Sequence, residues 1–231
     1  MKAKKPPEMT AENIAGGSKA AAPAYITFGD CAESRYEEKK SVFIGHAAHI
    51  ADEDAAKEFI ASKRKEYSDA SHNCWAYYVA DGMTARYSDD GEPQGTAGLP
   101  ILNVIKATGA QDAVIVVTRY FGGTLLGTGG LARAYTKTAK LAADACGIEQ
   151  YDFYLELVIV SSYADYEKIS AELTKYPVIS DDIIFGERVE LHAAVRADSE
   201  EEFTARLSEL SAGRATVVVS GERLDRYSAV K

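Results

Sequence analysis

The chain has few cysteines, no long apolar run and no excess of basic charge, and each shortage narrows what it can be. Only three cysteines occur in 231 residues, Cys31, Cys74 and Cys146. They are odd in number, far apart and never in a CxxC pair, which argues against a disulfide framework or a zinc site and for reduced cytosolic thiols. No segment approaches the roughly 18 uninterrupted apolar residues of a membrane span. The N-terminal stretch has no apolar core of the kind that marks a secretory signal. A cytoplasmic location and no membrane partner are therefore expected. The formal net charge is −9, which argues against promiscuous binding to nucleic acid over the whole surface.

What is present is ordinary for a globular chain, with 26% charged and 46% hydrophobic residues. The length fits one large or two small domains. Charge is unevenly spread. Residues 1–24 carry four lysines and two acids, residues 25–149 carry 13 basic and 17 acidic groups, and residues 150–231 carry 9 and 16. Any nucleic-acid contact thus needs a local basic patch. Residues 1–24, Ala-rich and Lys-bearing, read as a disordered or flexible tail.

The second half reads as a small domain over 149–231. Tyr154 to Val160 is strand-like, Tyr163 to Tyr176 has helical spacing closed by Pro177, and two strand-like runs flank Gly186. An amphipathic helix from Ser199, with three glutamates favoured by the helix dipole, precedes a last strand at Ala215 to Ser220. The order is βαββαβ, the ferredoxin-like pattern. In 25–148, strands are expected at Tyr25 to Phe28, Ser41 to Ile50, Cys74 to Ala80 and Ala113 to Thr118. Helices are expected at Asp52 to Tyr67, Pro100 to Thr108 and Gly130 to Cys146. The continuous apolar run Ala113 to Thr118 suits a central strand covered on both faces. The fold class is α+β.

Three stretches carry chemistry. Ser88 to Leu102 packs glycines, among them Gly95, around Ser88, Asp89, Asp90, Glu92 and Thr96. It reads as a turn whose acids bond nearby amides, with Thr96 capping a helix and leaving amides free for an anion. Asp89 and Asp90 could hold a divalent cation such as Mg2+; no other cofactor is expected. Thr118 to Thr138 reads as a strand end, a pliable loop and a helix start. Here Gly122, Gly123, Gly127, Gly129 and Gly130 offer amides to phosphate, and Arg119, Arg133 and Lys137 supply charge. Tyr120, Phe121 and Tyr135 could stack on bases. Neither a Walker loop nor a dinucleotide fingerprint is present; a tight strand–helix junction remains the alternative. In Ser71 to Tyr78, His72 and Cys74 share a strand face and could form a nucleophile pair, or Cys74 is an inert core thiol. His46 and His49 read as ordinary residues near a strand end.

Taken together, the His-x-Cys-x-Ala-Tyr element at His72–Tyr77 and the two longer stretches at Ser88–Leu102 and Thr118–Tyr135 resemble the IMPACT/YigZ family. The resemblance implies a first domain similar to the second domain of the fifth small-subunit ribosomal protein. It implies a last domain similar to that of elongation factor G. Eukaryotic members regulate translation through a protein partner. The expectation is thus a translation-associated protein binding RNA or the ribosome through the Gly-rich, Arg-bearing surface. Protein interaction without catalysis comes second, and an enzyme acting on a phosphorylated small molecule or nucleotide third.

Overall fold

The computed structural model describes residues 24–29, 31–80 and 83–226. All but one residue of the tail expected over 1–24 lies outside them. The chain divides into two compact units, Tyr25–Glu149 and the residues from Gln150 on. Helix and strand are mixed in both, as an α+β fold requires. Among the described residues no helix is long and apolar enough to cross a membrane.

The first unit contains β1 (Tyr25–Phe28), β2 (Ala32–Glu38), β3 (Ser41–His49), α1 (Glu53–Glu66), β4 (His72–Val79), β5 (Thr84–Ser88), α2 (Gly98–Thr108), β6 (Ala113–Tyr120) and α3 (Gly127–Cys146). Five strands form one sheet in the order β2-β3-β6-β4-β5, with every neighbouring pair antiparallel. The apolar run of β6 is central, and its alternation feeds two cores. Ile115 and Val117 pack with Ile101 and Ile105 of α2 and Tyr135 and Ala139 of α3. Val114 and Val116 pack with Ala56 and Ile60 of α1. Helix α1 begins where Asp52 accepts a hydrogen bond from the Ala55 amide at 2.7 Å, with acids in its first turn and cations in its last.

Two strands had no sequence signature. β2 (AESRYEE) and β5 (TARYS) pair on one side only, with β3 and β4 respectively. Edge strands keep one row of backbone groups and much side-chain surface in water, so polar residues replace the apolar alternation. Helix α3 starts three residues before the expected Gly130, so Gly127, Gly129 and Gly130 belong to its first turn and not to a loop.

The second unit runs β7 (Ile148–Ser161, entering from the first unit's last residues), α4 (Tyr163–Leu173), β8 (Val178–Phe185), β9 (Val189–Arg196), α5 (Glu200–Ser211) and β10 (Thr216–Arg226). This is the βαββαβ order expected, with the antiparallel strand order β10-β7-β9-β8. Leu157, Ile159, Leu191 and Val195 meet Ile169 of α4 and Phe203 and Leu207 of α5 in its core. Arg214 grips the Asp165 carboxylate through two hydrogen bonds of 2.7 and 3.1 Å. Those bonds, with the Ser162 hydroxyl, hold the Asp165 carboxyl down at about 2.

Candidate functional site

The site grows from the end of the central strand. Arg119 lies near the end of β6, paired across the sheet with Phe43 of β3 and His72 of β4. Its guanidinium is held between the rings of Phe43 and Phe121, 5.5 Å from each centroid. Nη1 donates to Glu92 Oε1 at 2.6 Å and Nη2 to the Ser41 hydroxyl at 3.4 Å, while Nε has no partner among the described residues. Both side chains of the pair are buried, 6% exposed for Arg119 and 3% for Glu92. A buried pair of this kind holds its two segments together, because removing either partner strands a charge away from water.

The segment after β5 is organised by its acids. Asp89 accepts from the amides of Ala97 and Gly98 through Oδ1 at 3.0 and 2.8 Å, and from Gly95 through Oδ2 at 2.8 Å. It therefore caps α2 from across the loop. Thr96 does not cap this helix. The N-cap is Ala97, and the Thr96 hydroxyl donates to the Pro93 carbonyl at 2.6 Å. Asp90 accepts from Arg64 at 2.5 Å and from the Asn73 amide at 2.7 Å, and the Ser88 hydroxyl accepts from the Asp90 amide at 3.1 Å. All four oxygens of Asp89 and Asp90 are thus engaged by protein donors, which leaves them poor Mg2+ ligands. Among the described residues no group of three or more His, Cys, Asp or Glu is placed to hold a metal.

Cys74 and Tyr135 continue the buried network. The Tyr135 hydroxyl donates to Glu92 Oε1 at 2.8 Å, and the single proton of the Cys74 thiol is shared between the Asp89 carbonyl at 3.0 Å and the Tyr135 oxygen at 3.3 Å. Burial pushes both the thiol and the phenol far up, so both stay protonated. His72 does not pair with this thiol. Its Nδ1 donates to the Asp90 carbonyl at 2.8 Å, and its Nε2 lies 3.9 Å from Glu92 Oε1. Tyr135 is fully buried, which corrects its reading as a base-stacking residue: the helix face it occupies is the one turned to the core.

The two Gly-rich stretches converge on one cleft of about 480 Å3. Gly91, Glu92 and Pro93 of the first stretch line it together with Phe121, Leu125, Leu126, Gly127, Thr128 and Leu131 of the second, and with His72 and Arg119. Gly122 lets the second stretch turn: a Cβ there would fall 2.1 Å from the Lys40 carbonyl carbon. The Gly122 amide donates to the Ser41 hydroxyl at 3.1 Å. Gly123 follows at φ +83°, a conformation that favours glycine. Helix α3 then opens on the cleft with no side-chain cap and no acid in its first turn.

The remaining expected residues fall outside this cleft. Arg133 and Lys137 are exposed on α3, and neither lines it. Tyr120 is half-buried and its hydroxyl donates to Asp69 at 2.8 Å. Phe121 is 50% exposed at the cleft's rim, beside Leu125 at 83%. Sequence reasoning missed Leu125, Leu131 and the cleft role of His72. It also missed Lys140, which extends the exposed row Arg133, Lys137 at helical spacing; that spacing was the available signal. A smaller depression of about 390 Å3 lies on the second unit's sheet. There Arg223 is already held by Asp181, Glu156 and Asp225.

The sequence motifs that build the cleft all lie within residues 39–143, which match a family model of the Impact N-terminal domain. Residues 159–214 match a model described as a domain of unknown function, DUF1949. The "IMPACT family member YvyE" of Bacillus subtilis (strain 168) is 34% identical over 195 residues, 84% of this chain and 90% of that protein. The chain belongs to the IMPACT family. A second member, YigZ of Escherichia coli (strain K12), is 37% identical over 182 residues, 77% of this chain and 88% of that one. "Protein IMPACT" of Rattus norvegicus matches a shorter stretch, 29% identical over 94 residues, 39% of this chain and 30% of that protein. A crystal structure titled only as that of a hypothetical protein covers 86% of this IMPACT-family chain and 98% of its own, with 33% identity and a TM-score of 0.54.

Proposed function

We propose that this chain is a translation-associated protein that binds RNA, free or within the ribosome, through the first unit. The observation that carries this reading is the exposed face of α3. Arg133, Lys137 and Lys140 form a row one turn apart, none of them in an ion pair among the described residues. The row leads from the uncapped, Gly-rich start of the helix. In a chain of net charge −9, such a row is the local patch that phosphate binding needs. The cleft at its head offers the exposed Phe121 ring for stacking. The link to translation rests on the family resemblance alone.

The test is filter binding of single-stranded RNA at several salt concentrations, with the wild type and an Arg133→Ala/Lys137→Ala/Lys140→Ala variant. Three lost phosphate contacts should lower the slope of log affinity against log salt by about 2, at roughly 0.7 per contact for single strands. Binding that is absent, or whose slope is unchanged in the variant, overturns the reading. A second reading, docking of a protein partner, is supported by exposed Ile184 and Phe185 on β8 and Val218 and Val219 on β10. Recovery of one partner from nuclease-treated lysate, lost on Phe185→Ser, would favour it.

A further inference from the structure

The cleft presents an unusual set of groups for a site that would meet only a phosphate backbone. Glu92 is 3% exposed, yet only its Oε1 is bound by Arg119 and Tyr135. Its Oε2 accepts no hydrogen bond among the described residues, and Glu92 lines the cleft, so this oxygen is open to a donor there. His72 adds a second acceptor. A carbonyl can only accept, so the bond to Asp90 places the proton of the neutral ring on Nδ1 and leaves the Nε2 lone pair without a protein donor. The two acceptor groups belong to neighbouring side chains, with Nε2 3.9 Å from Oε1 of the Glu92 carboxylate. The start of α3, at Gly127 and Thr128, lines the same cleft, carries no side-chain cap and suits an anion. Phe121 and Leu125 add apolar surface at the rim.

A ligand that matches carries two adjacent donors, a negative charge and a flat apolar group. The volume, about 480 Å3, lies in the ordinary range for a small-molecule site. In an RNA chain only the 3′-terminal nucleotide has both ribose hydroxyls free. We propose that the cleft holds the 3′-terminal nucleotide of RNA, its 2′- and 3′-hydroxyls donating to His72 Nε2 and Glu92 Oε2, its base against Phe121 and its 5′-phosphate at the start of α3. This rests on the RNA reading above and adds that the protein recognises chain ends. The row Arg133, Lys137 and Lys140 then carries the nucleotides leading to the end.

The test uses one single-stranded RNA in three forms: linear with a free 3′-hydroxyl, linear with a 3′-phosphate, and circular. The free-hydroxyl form is expected to bind about tenfold more tightly than the other two, the scale of one lost stacked and hydrogen-bonded nucleotide. Phe121→Ala and His72→Phe should each reduce that preference, read as the ratio of free-hydroxyl to circular binding within the same variant. Circular dichroism and melting of each variant confirm that it is folded. Equal binding of all three forms by the wild type overturns the end-recognition proposal and leaves the RNA reading standing. Binding of none of them overturns the RNA reading and this proposal together. A preference that survives in both folded variants overturns the assignment to this cleft.

Discussion

Helices α2 and α3 both begin after Gly-rich segments, and their first turns have opposite fates. At α2 the amides of Ala97 and Gly98, and the nearby amide of Gly95, all end on the carboxylate of Asp89. At α3 no side chain caps the start and no acid lies in the first turn. The same residue type thus makes a closed joint in one place and an uncapped helix start in the other. What separates them is one acid placed across the loop. A Gly-rich loop followed by a helix is therefore weak evidence of a ligand site until the destination of its amides is known.

The comparison breaks most severely at the ion pair that joins the two segments. Arg119→Ala leaves Glu92 buried beside Tyr135 without its cation, and the expected loss in chemical denaturation is about 3–5 kcal/mol. A loss below about 1 kcal/mol would mean that water reaches the pair freely. The next effect is at the closed joint. Asp89→Ala strands three amides, and about 2–4 kcal/mol is expected, with Asp89→Asn recovering part. The matching change at the open end, Thr128→Asp, adds an acid where α3 has none. It should stabilise by a few tenths to about 1 kcal/mol through the helix dipole while weakening RNA binding, so stability and binding would move in opposite directions.

The smallest effect lies in the second compact unit, and it serves as a control outside the unit that carries both helix starts. Asp165 is held at about 2 by Arg214 and Ser162. A carboxyl whose folded value is depressed contributes stability that is present above the ordinary carboxylate range and is lost as pH falls toward about 2. Arg214→Ala should therefore lower acid resistance of this unit, seen as an acid-unfolding midpoint at higher pH, with little change in RNA binding at neutral pH. An unchanged acid midpoint would show that the contact contributes nothing to folding.

Much of the secondary structure was legible because burial imposes periodicity. The apolar run of β6, the helical spacing of α1 and the βαββαβ order of the second unit all follow from which faces must leave water. Strands β2 and β5 were not legible, because edge strands need no such pattern. The family was legible in three motifs that all lie within residues 39–143. The two stretches that line the cleft were legible as motifs, but the roles of their parts were not. Tyr135 looked available and is buried, Thr96 looked like a cap and is not, and Asp89 looked like a metal ligand but closes a helix.

By itself the sequence determined the fold class and the family, since hydrophobic periodicity and motif spacing are properties of the chain read in order. Only the tertiary structure decided which glycine-flanked helix is open, because that depends on hydrogen bonds between residues far apart in the chain. Asp89 reaches Gly98 across nine residues, and Arg119 reaches Glu92 across 27. Those two long-range bonds, one closing α2 and one fixing the wall of the cleft, leave α3, His72 and the free oxygen of Glu92 facing the same space.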